Sequence, residues 1–320
     1  MKALCFDHFG GPEVLTWRDL PDPAPEPGHA IVRTAAIGLN FADIYRRRGD
    51  YHLAGAPPYI LGYEAAGVVE SVGPGEGVSP GDRVGFADSP FANALKVKVP
   101  VDRLIPLPAD VDFETAASLL LQGLTAQYLT RDSHPLRAGE TAVVHAAAGG
   151  VGLLLVQIAK RLGARVFGLT SSETKRAAAF AAGADAVFLY DDDWPADVLR
   201  ETGDRGADVV YDSVGTTLPE SFAAARIGGH VVFFGMAGGR PAPVDPAMLM
   251  DTSKRLTGGD LWNVLTSREE RIRRAGELFE WVREGGLEVR IAARFSLAEG
   301  AKAHAYLESR GSIGKVLLLP

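Results

Sequence analysis

The sequence predicts an α/β fold in which a doubly wound parallel sheet is joined to a bent, barrel-like β domain. Three observations carry that prediction. The chain has 320 residues, long for a single core, so two domains follow from ordinary domain sizes. From about residue 123 onward, strand-like and helix-like stretches alternate, the pattern of a parallel sheet covered on both faces. The stretch Thr141-Ala142-Val143-Val144-His145-Ala146-Ala147-Ala148-Gly149-Gly150-Val151-Gly152 is an apolar, β-branched run that stops at small residues and glycines. Helical apolar spacing follows over Leu153 to Leu162.

In chain order, the first 120 or so residues are β-rich. Ala30–Ile37 and Ala65–Val72 are short apolar runs bounded by Gly and Pro, the mark of strands. Pro21, Pro23, Pro25 and Pro27 make an extended connector rather than a strand, because proline cannot donate to a ladder. Gly73 to Gly81 reads as a turn that delivers Asp82–Phe86 as another strand. Beyond residue 123 the expected strands are Thr141–His145, Arg165–Leu169, Ala186–Leu189, Asp208–Asp212 and His230–Phe234. Helices fit between them at Lys175–Ala182 and Leu218–Arg226, and a charged amphipathic helix fits Ser267–Arg283. Leu287–Phe295 and Lys315–Leu319 read as strands that return to the first domain. The predicted division is therefore 1–122 with 265–320 for the β domain and 123–264 for the parallel-sheet domain.

Hydrophobic residues make up 47% and charged residues 23%, with a formal charge of −7. That is an ordinary soluble balance, and its sign argues against nucleic acid as the main partner. Arg46-Arg47-Arg48 and Arg271, Arg273, Arg274 sit among acids or on a helix face and read as solvated faces. Cys5 is the only cysteine, so neither an intrachain disulfide nor a thiolate zinc site can form. The start reaches polar and glycine residues too soon for a signal peptide, and no apolar run approaches the ~20 residues of a membrane span. A cytoplasmic protein without membrane contact is the expectation.

The glycine turn carries the first functional signal. A strand, a tight turn and a helix opening on glycine bring backbone N–H groups to a pyrophosphate with no Cβ in the way. The usual G-x-G-x-x-G stands here as Ala147-x-Gly149-Gly150-x-Gly152, and the following strand Arg165–Thr170 completes a βαβ unit. A site for NAD places a carboxylate at the end of that second strand. Here the strand ends Leu169-Thr170-Ser171-Ser172, with Lys175 and Arg176 close behind. Small hydroxyls and a cation suit a 2′-phosphate, so NADPH is the expected cofactor.

At these residues the chain resembles the zinc-independent quinone oxidoreductases, the ζ-crystallin-like branch of the medium-chain dehydrogenase/reductases. The resemblance runs through His8–Leu15, Ile37-Gly38-Leu39-Asn40-Phe41-x-Asp43, Gly62-x-Glu64-Ala65-Ala66-Gly67, His145–Gly152, Val210–Gly215 and Glu308-Ser309-Arg310. It implies a GroES-like catalytic domain, a Rossmann domain and a cleft between them for nicotinamide and substrate. Zinc-dependent relatives carry Gly-His-Glu where this chain has Gly62-Tyr63-Glu64. Tyrosine does not replace a neutral imidazole on zinc, and none of the seven histidines forms a metal-site spacing with a carboxylate. No metal is expected.

The resemblance also implies the contacts. Asn40, Tyr45 and Thr125 fall beside nicotinamide and ribose, and Gly150, Val151 and Gly152 under the pyrophosphate. Ser171, Lys175, Tyr190 and Arg310 surround the adenosine end and its phosphate, while Ser213, Phe234, Gly235, Leu261 and Trp262 line the rest of the groove. A quinone or enone accepting hydride develops charge on oxygen, which hydrogen-bond donors stabilise. Tyr51 is the candidate hydroxyl and Asn40 the candidate amide donor. The expected activity is NADPH-dependent reduction of quinones or related conjugated carbonyls, with alkenal or enone double-bond reduction as the enzymatic alternative. A low-turnover NADPH-binding protein with a structural or RNA-contact role is the alternative outside catalysis. The resemblance further implies that the segment Lys254–Leu261, after the last expected strand, is a sheet edge that pairs into a homodimer.

Overall fold

The computed structural model describes residues 1–75 and 77–320. They form two compact units. One comprises Met1–Leu124, Leu265–Val282 and Val289–Pro320, the other Thr125–Val264 with Arg283–Glu288.

The chain begins with β1 (Lys2–Phe6), β2 (Thr16–Asp19), β3 (His29–Leu39) and helix α1 (Phe41–Arg48). β4 (Tyr59–Ile60), β5 (Ala65–Val72), β6 (Arg83–Phe86), β7 (Lys96–Pro100), β8 (Ile105–Pro106) and α2 (Phe113–Tyr128) follow. The proline connector before β3 has no regular structure, as its missing N–H groups require. β3 is the spine of this unit: it pairs antiparallel with β5 and with β7. Its register against β5 shifts between Ile31 and Val32 and again between Thr34 and Ala36. Such bulges raise the local twist and bend a strand, which curves the sheet around Leu4, Phe6, Ile37, Leu39 and Phe86.

The second unit alternates strand and helix: β9 (Thr141–Val144), α3 (Gly150–Arg161), β10 (Arg165–Thr170), α4 (Glu173–Ala181), β11 (Ala186–Leu189), α5 (Trp194–Glu201). It continues with β12 (Ala207–Asp212), α6 (Leu218–Ala224), β13 (Ala225–Phe233), α7 (Pro246–Thr252) and β14 (Arg255–Gly258). All six strands are parallel, in the order β11-β10-β9-β12-β13-β14. The order reverses between β9 and β12, the switch point at which open sheets of this kind hold ligands. Val143, Phe167, Val210 and Val231 fill the core. β13 starts five residues before the expected His230, because Ala225 already pairs with Ala207 across an irregular register.

The chain then contributes α8 (Arg268–Arg283), β15 (Ile291–Ser296), α9 (Gly300–Glu308) and β16 (Lys315–Leu319). β16 pairs antiparallel with β3, Val316 opposite Leu39, and parallel with β15. The expected strand from Leu287 begins only at Ile291, since Gly285 (φ 70°) turns the chain at the end of α8. Among the described residues no helix is long and apolar enough to cross a membrane.

Candidate functional site

In the parallel-sheet unit, the candidate residues gather at the carboxyl ends of the strands. β9 ends at Val144, and the chain passes through Ala146 in the left-handed region (φ 47°) to Gly149, which precedes α3. Gly149 has no side chain to cap the first N–H groups of the helix, the positive end of its dipole. Gly152 admits no side chain, because a Cβ there would overlap the Ala146 carbonyl oxygen. The turn is fastened from behind: Gly149 N–H donates to Ala146 O (2.7 Å) and Ala147 N–H to Leu169 O (2.9 Å). Ala146 N–H donates to the Tyr190 hydroxyl at 2.8 Å.

Beneath the turn lies a polar cluster that sequence reasoning missed. His145 Nε2 is 3.0 Å from Ser221 Oγ, and Ser221 Oγ donates to Asp212 Oδ2 at 2.7 Å. Thr217 Oγ1 donates to the same carboxylate oxygen at 2.9 Å, and Asp212 Oδ1 accepts the N–H groups of Val214 and Gly215. Burial pushes the His145 imidazole below its usual range, with Asp212 opposing. Burial also works against ionised Asp212, yet His145 and the donated hydrogen bonds hold its carboxyl below the usual value. Ser221 has no accessible surface, so the cluster braces β9, β12 and α6 rather than attacking a substrate. Its sequence signal was Asp212 within Val210–Gly215, a segment whose partners lie up to 76 residues apart.

At the end of β10, Ser171 and Ser172 are exposed. Ser172 Oγ accepts the Lys175 N–H and caps α4, while the Lys175 ammonium donates to Ser171 Oγ at 3.2 Å. Hydroxyl and cation are therefore adjacent, with Glu173 turned to Arg176 at 3.3 Å. Ser213 follows β12, and its carbonyl accepts the Ala237 N–H. Phe234 and Gly235 follow β13, and a Cβ on Gly235 would crowd the Ser213 carbonyl. Leu261 and Trp262 occupy a short turn capped by Asp260, which accepts the Trp262 N–H at 3.1 Å. Thr125 is buried in α2.

The β-rich unit holds the remaining candidates. Asn40 caps α1: its N–H donates to Asp43 Oδ2 at 3.0 Å, completing a capping box. Its carboxamide is saturated within the protein. Nδ2 donates to Glu64 Oε2 (3.0 Å) and Gly38 O (3.2 Å), and Oδ1 accepts from Lys315 Nζ (2.9 Å) and Gln122 Nε2 (3.2 Å). Tyr45 sits half-buried on α1, 6.3 Å ring to ring from Phe41. The Tyr51 ring lies 4.0 Å from that of His52 and 5.0 Å from the Arg46 guanidinium. Arg310 is exposed just beyond α9, in a left-handed conformation (φ 58°). That end of α9 is tied to α1 by Arg47, which pairs with Glu308 at 2.6 Å.

At the position where zinc-dependent relatives carry an imidazole, a phenol stands instead and its contacts are within the protein. Tyr63 is buried, its ring 3.8 Å from the Arg46 guanidinium and its hydroxyl accepting the Ala54 N–H. Among the described residues no three His, Cys, Asp or Glu side chains are grouped to hold an ion. A dinucleotide does fit: the cradle at Gly152, the glycine start of α3 and the hydroxyl–ammonium pair of Ser171 and Lys175 just after β10 are complementary to its phosphates.

Residues 26–133 match the alcohol dehydrogenase GroES-like domain family and residues 150–280 the zinc-binding dehydrogenase family. A quinone oxidoreductase of Pseudomonas aeruginosa is 40% identical over 324 residues, covering 100% of this chain and 99% of that protein. A 2-haloacrylate reductase of a Burkholderia species is 38% identical over 332 residues, covering 100% and 99%. The structure of Escherichia coli quinone oxidoreductase complexed with NADPH superposes with a TM-score of 0.97 at 36% identity, covering 100% of both chains.

Proposed function

The chain belongs to the quinone oxidoreductase family, and from that premise we propose that it is an NADPH-dependent reductase of quinones and related conjugated carbonyls, working without zinc. The observation that carries the cofactor choice is the end of β10. There the Lys175 ammonium lies 3.2 Å from the Ser171 hydroxyl, with a hydroxyl in the place of the acid that would repel a 2′-phosphate. The bound NADPH supplies the hydride. The protein's own residues bind and orient. Gly150, Val151 and Gly152 receive the pyrophosphate on backbone N–H groups, and Ser171, Lys175, Tyr190 and Arg310 hold the adenosine phosphate. Ser213, Phe234, Gly235, Leu261 and Trp262 line the groove. Asn40, Tyr45 and Thr125 bound the nicotinamide, and the Tyr51 hydroxyl donates to the acceptor oxygen as charge develops there.

The 2-haloacrylate reductase relative supports conjugated double bonds beside quinones as acceptors, since both develop negative charge on oxygen as they are reduced. We also assign the protein to the cytoplasm as a homodimer paired through β14, whose edge position exposes Leu256. The test is NADPH oxidation with a quinone, an enone and an aldehyde, before and after exhaustive chelation. Turnover with quinone or enone that survives chelation is expected. Tight NADPH binding without oxidation of any of these would favour the low-turnover alternative. Activity lost on chelation and restored by zinc would refute the metal-free reading.

A further inference from the structure

Lys315 and Glu64 form an ion pair that the functional reading leaves unused. Lys315 opens β16 and Glu64 immediately precedes β5; their charged atoms are 2.5 Å apart and the side chains 1% and 0% exposed. Two buried charges lose hydration that their mutual attraction only partly returns, and an apolar pair often stabilises a fold as well or better. Stability alone is therefore a weak reason for the pair.

What the two charges touch is more specific. A carboxamide has nearly the same shape when its oxygen and nitrogen are exchanged, so only the charges and donors around it select one orientation. Lys315 Nζ donates to Asn40 Oδ1 at 2.9 Å, and Glu64 Oε2 accepts from Asn40 Nδ2 at 3.0 Å. Reversing the amide would set its NH2 against an ammonium and its oxygen against a carboxylate. Glu64 is itself held, since Oε1 accepts the Leu121 N–H at 2.6 Å. Gly38 leaves room for it: a Cβ there would overlap both Glu64 Oε2 and the Ala117 carbonyl. From Asn40 the chain of contacts runs to Asp43 and the start of α1, the helix that bears Tyr45.

We propose that Lys315 and Glu64 are positioning residues for the reduction: their opposed charges fix the Asn40 carboxamide, and with it the N-terminus of α1 and Tyr45, so that the nicotinamide half of NADPH meets the acceptor in register. The inference rests on the proposed nicotinamide-side placement of Asn40 and Tyr45. It predicts a division of labour, because the adenosine end of the cofactor depends on Ser171, Lys175 and Arg310 instead.

The experiment compares wild type with Lys315→Met, Glu64→Gln and the double variant. Thermal unfolding confirms that each is folded. NADPH is titrated by its own fluorescence, giving both Kd and the emission of the bound nicotinamide, and kcat is measured with a benzoquinone. Each single variant should keep the NADPH Kd within about threefold while kcat falls at least about fivefold. The bound emission should change with kcat, and the double variant, which lacks both charges, should stay as low as the single variants; activity regained there would assign the loss to an unpaired buried charge and overturn the proposal. A smaller loss of kcat, an unchanged emission, or a Kd weakened as much as kcat overturns the proposal. If Lys315→Met does not fold, Glu64→Gln is judged by the same criteria. A wild type that binds NADPH but reduces neither quinone nor enone refutes the reductase reading instead, and the emission change then decides the positioning role separately.

Discussion

Replacing Lys175 by alanine tests the cofactor assignment most directly. The ammonium lies 3.2 Å from Ser171 Oγ on a half-buried side chain at the first turn of α4. A 2′-phosphate accepted between the two would gain one charged hydrogen bond, about 1.5–3 kcal/mol where it is shielded from water. In bulk water the Coulomb attraction of one unit charge at ~4 Å is about 1 kcal/mol, so a doubly charged phosphate gains about 2 kcal/mol. Lys175 is open to solvent on one side, which places the contribution near the lower end, about 1.5–2 kcal/mol, or roughly 12–30-fold in Kd. NADH lacks the phosphate and should change by less than about twofold on the same reasoning. Fluorescence titration of both cofactors at low and high salt measures this. Screening should shrink the difference for NADPH, because the Debye length falls to about 3 Å at 1 M. Ser171→Asp supplies the acid that a ribose 2′-OH accepts, and should invert the preference. Equal losses for NADPH and NADH in Lys175→Ala would refute the reasoning.

Gly152→Ala should abolish tight NADPH binding and destabilise the second unit by about 1–3 kcal/mol, since the new methyl group must displace the Ala146 carbonyl; binding within twofold of wild type would contradict the cradle. His304 is fully buried against Arg47 and its imidazole is pushed down to about 3, by burial first and Arg47 second. Its folded pKa lies below the unfolded one, so it contributes stability above about pH 6.5 that is lost on acidification, at about 1.4 kcal/mol per pH unit. Denaturant unfolding from pH 6.5 to 5 should therefore show His304→Gln gaining about 2 kcal/mol on wild type, and a pH-independent difference would contradict this. Leu256→Pro removes a ladder donor on β14 and should shift the mass measured by light scattering from twice 33.9 kDa toward one chain; a monomeric wild type at micromolar concentration would end the edge-pairing proposal.

Local chemistry made much of the fold legible. Thr141–Gly152 announces a strand, a turn and a helix because β-branched residues, small residues and glycines follow within a dozen positions, and β9 and α3 lie there. Ala65–Val72 and Ala186–Leu189 coincide with β5 and β11, since turn residues bracket each. The bulges in β3 carried no such mark, for they depend on which residues of β5 stand opposite. The network around Asn40 was invisible for a related reason. Along the chain Glu64 is marked only by the residue before it, while its cation arrives from 251 positions away and that of Asn40 from 275. No window along the chain contains both charges. The resemblance supplied Asn40 and Tyr45 as candidates, but only coordinates show that the Asn40 amide is occupied on both ends.

The distance along the chain between Glu64 and Lys315 also sets a timetable. A ribosome adding about 5–20 residues per second needs roughly 10–50 seconds to pass from one to the other. Throughout that interval the carboxylate destined for burial has no counter-ion. The stretch of β3 that will receive Val316, Leu317 and Leu318 is likewise without that partner, and an unpaired strand edge invites association between nascent chains. The segment that forms the parallel sheet is made within the same interval, so its folding need not wait for β16. Synthesis should therefore yield a chain whose parallel-sheet unit matures first and whose β-rich unit closes late. Stalling translation between residues 264 and 315 would display that order, with protease resistance acquired over Thr141–Gly258 before it spreads to β3.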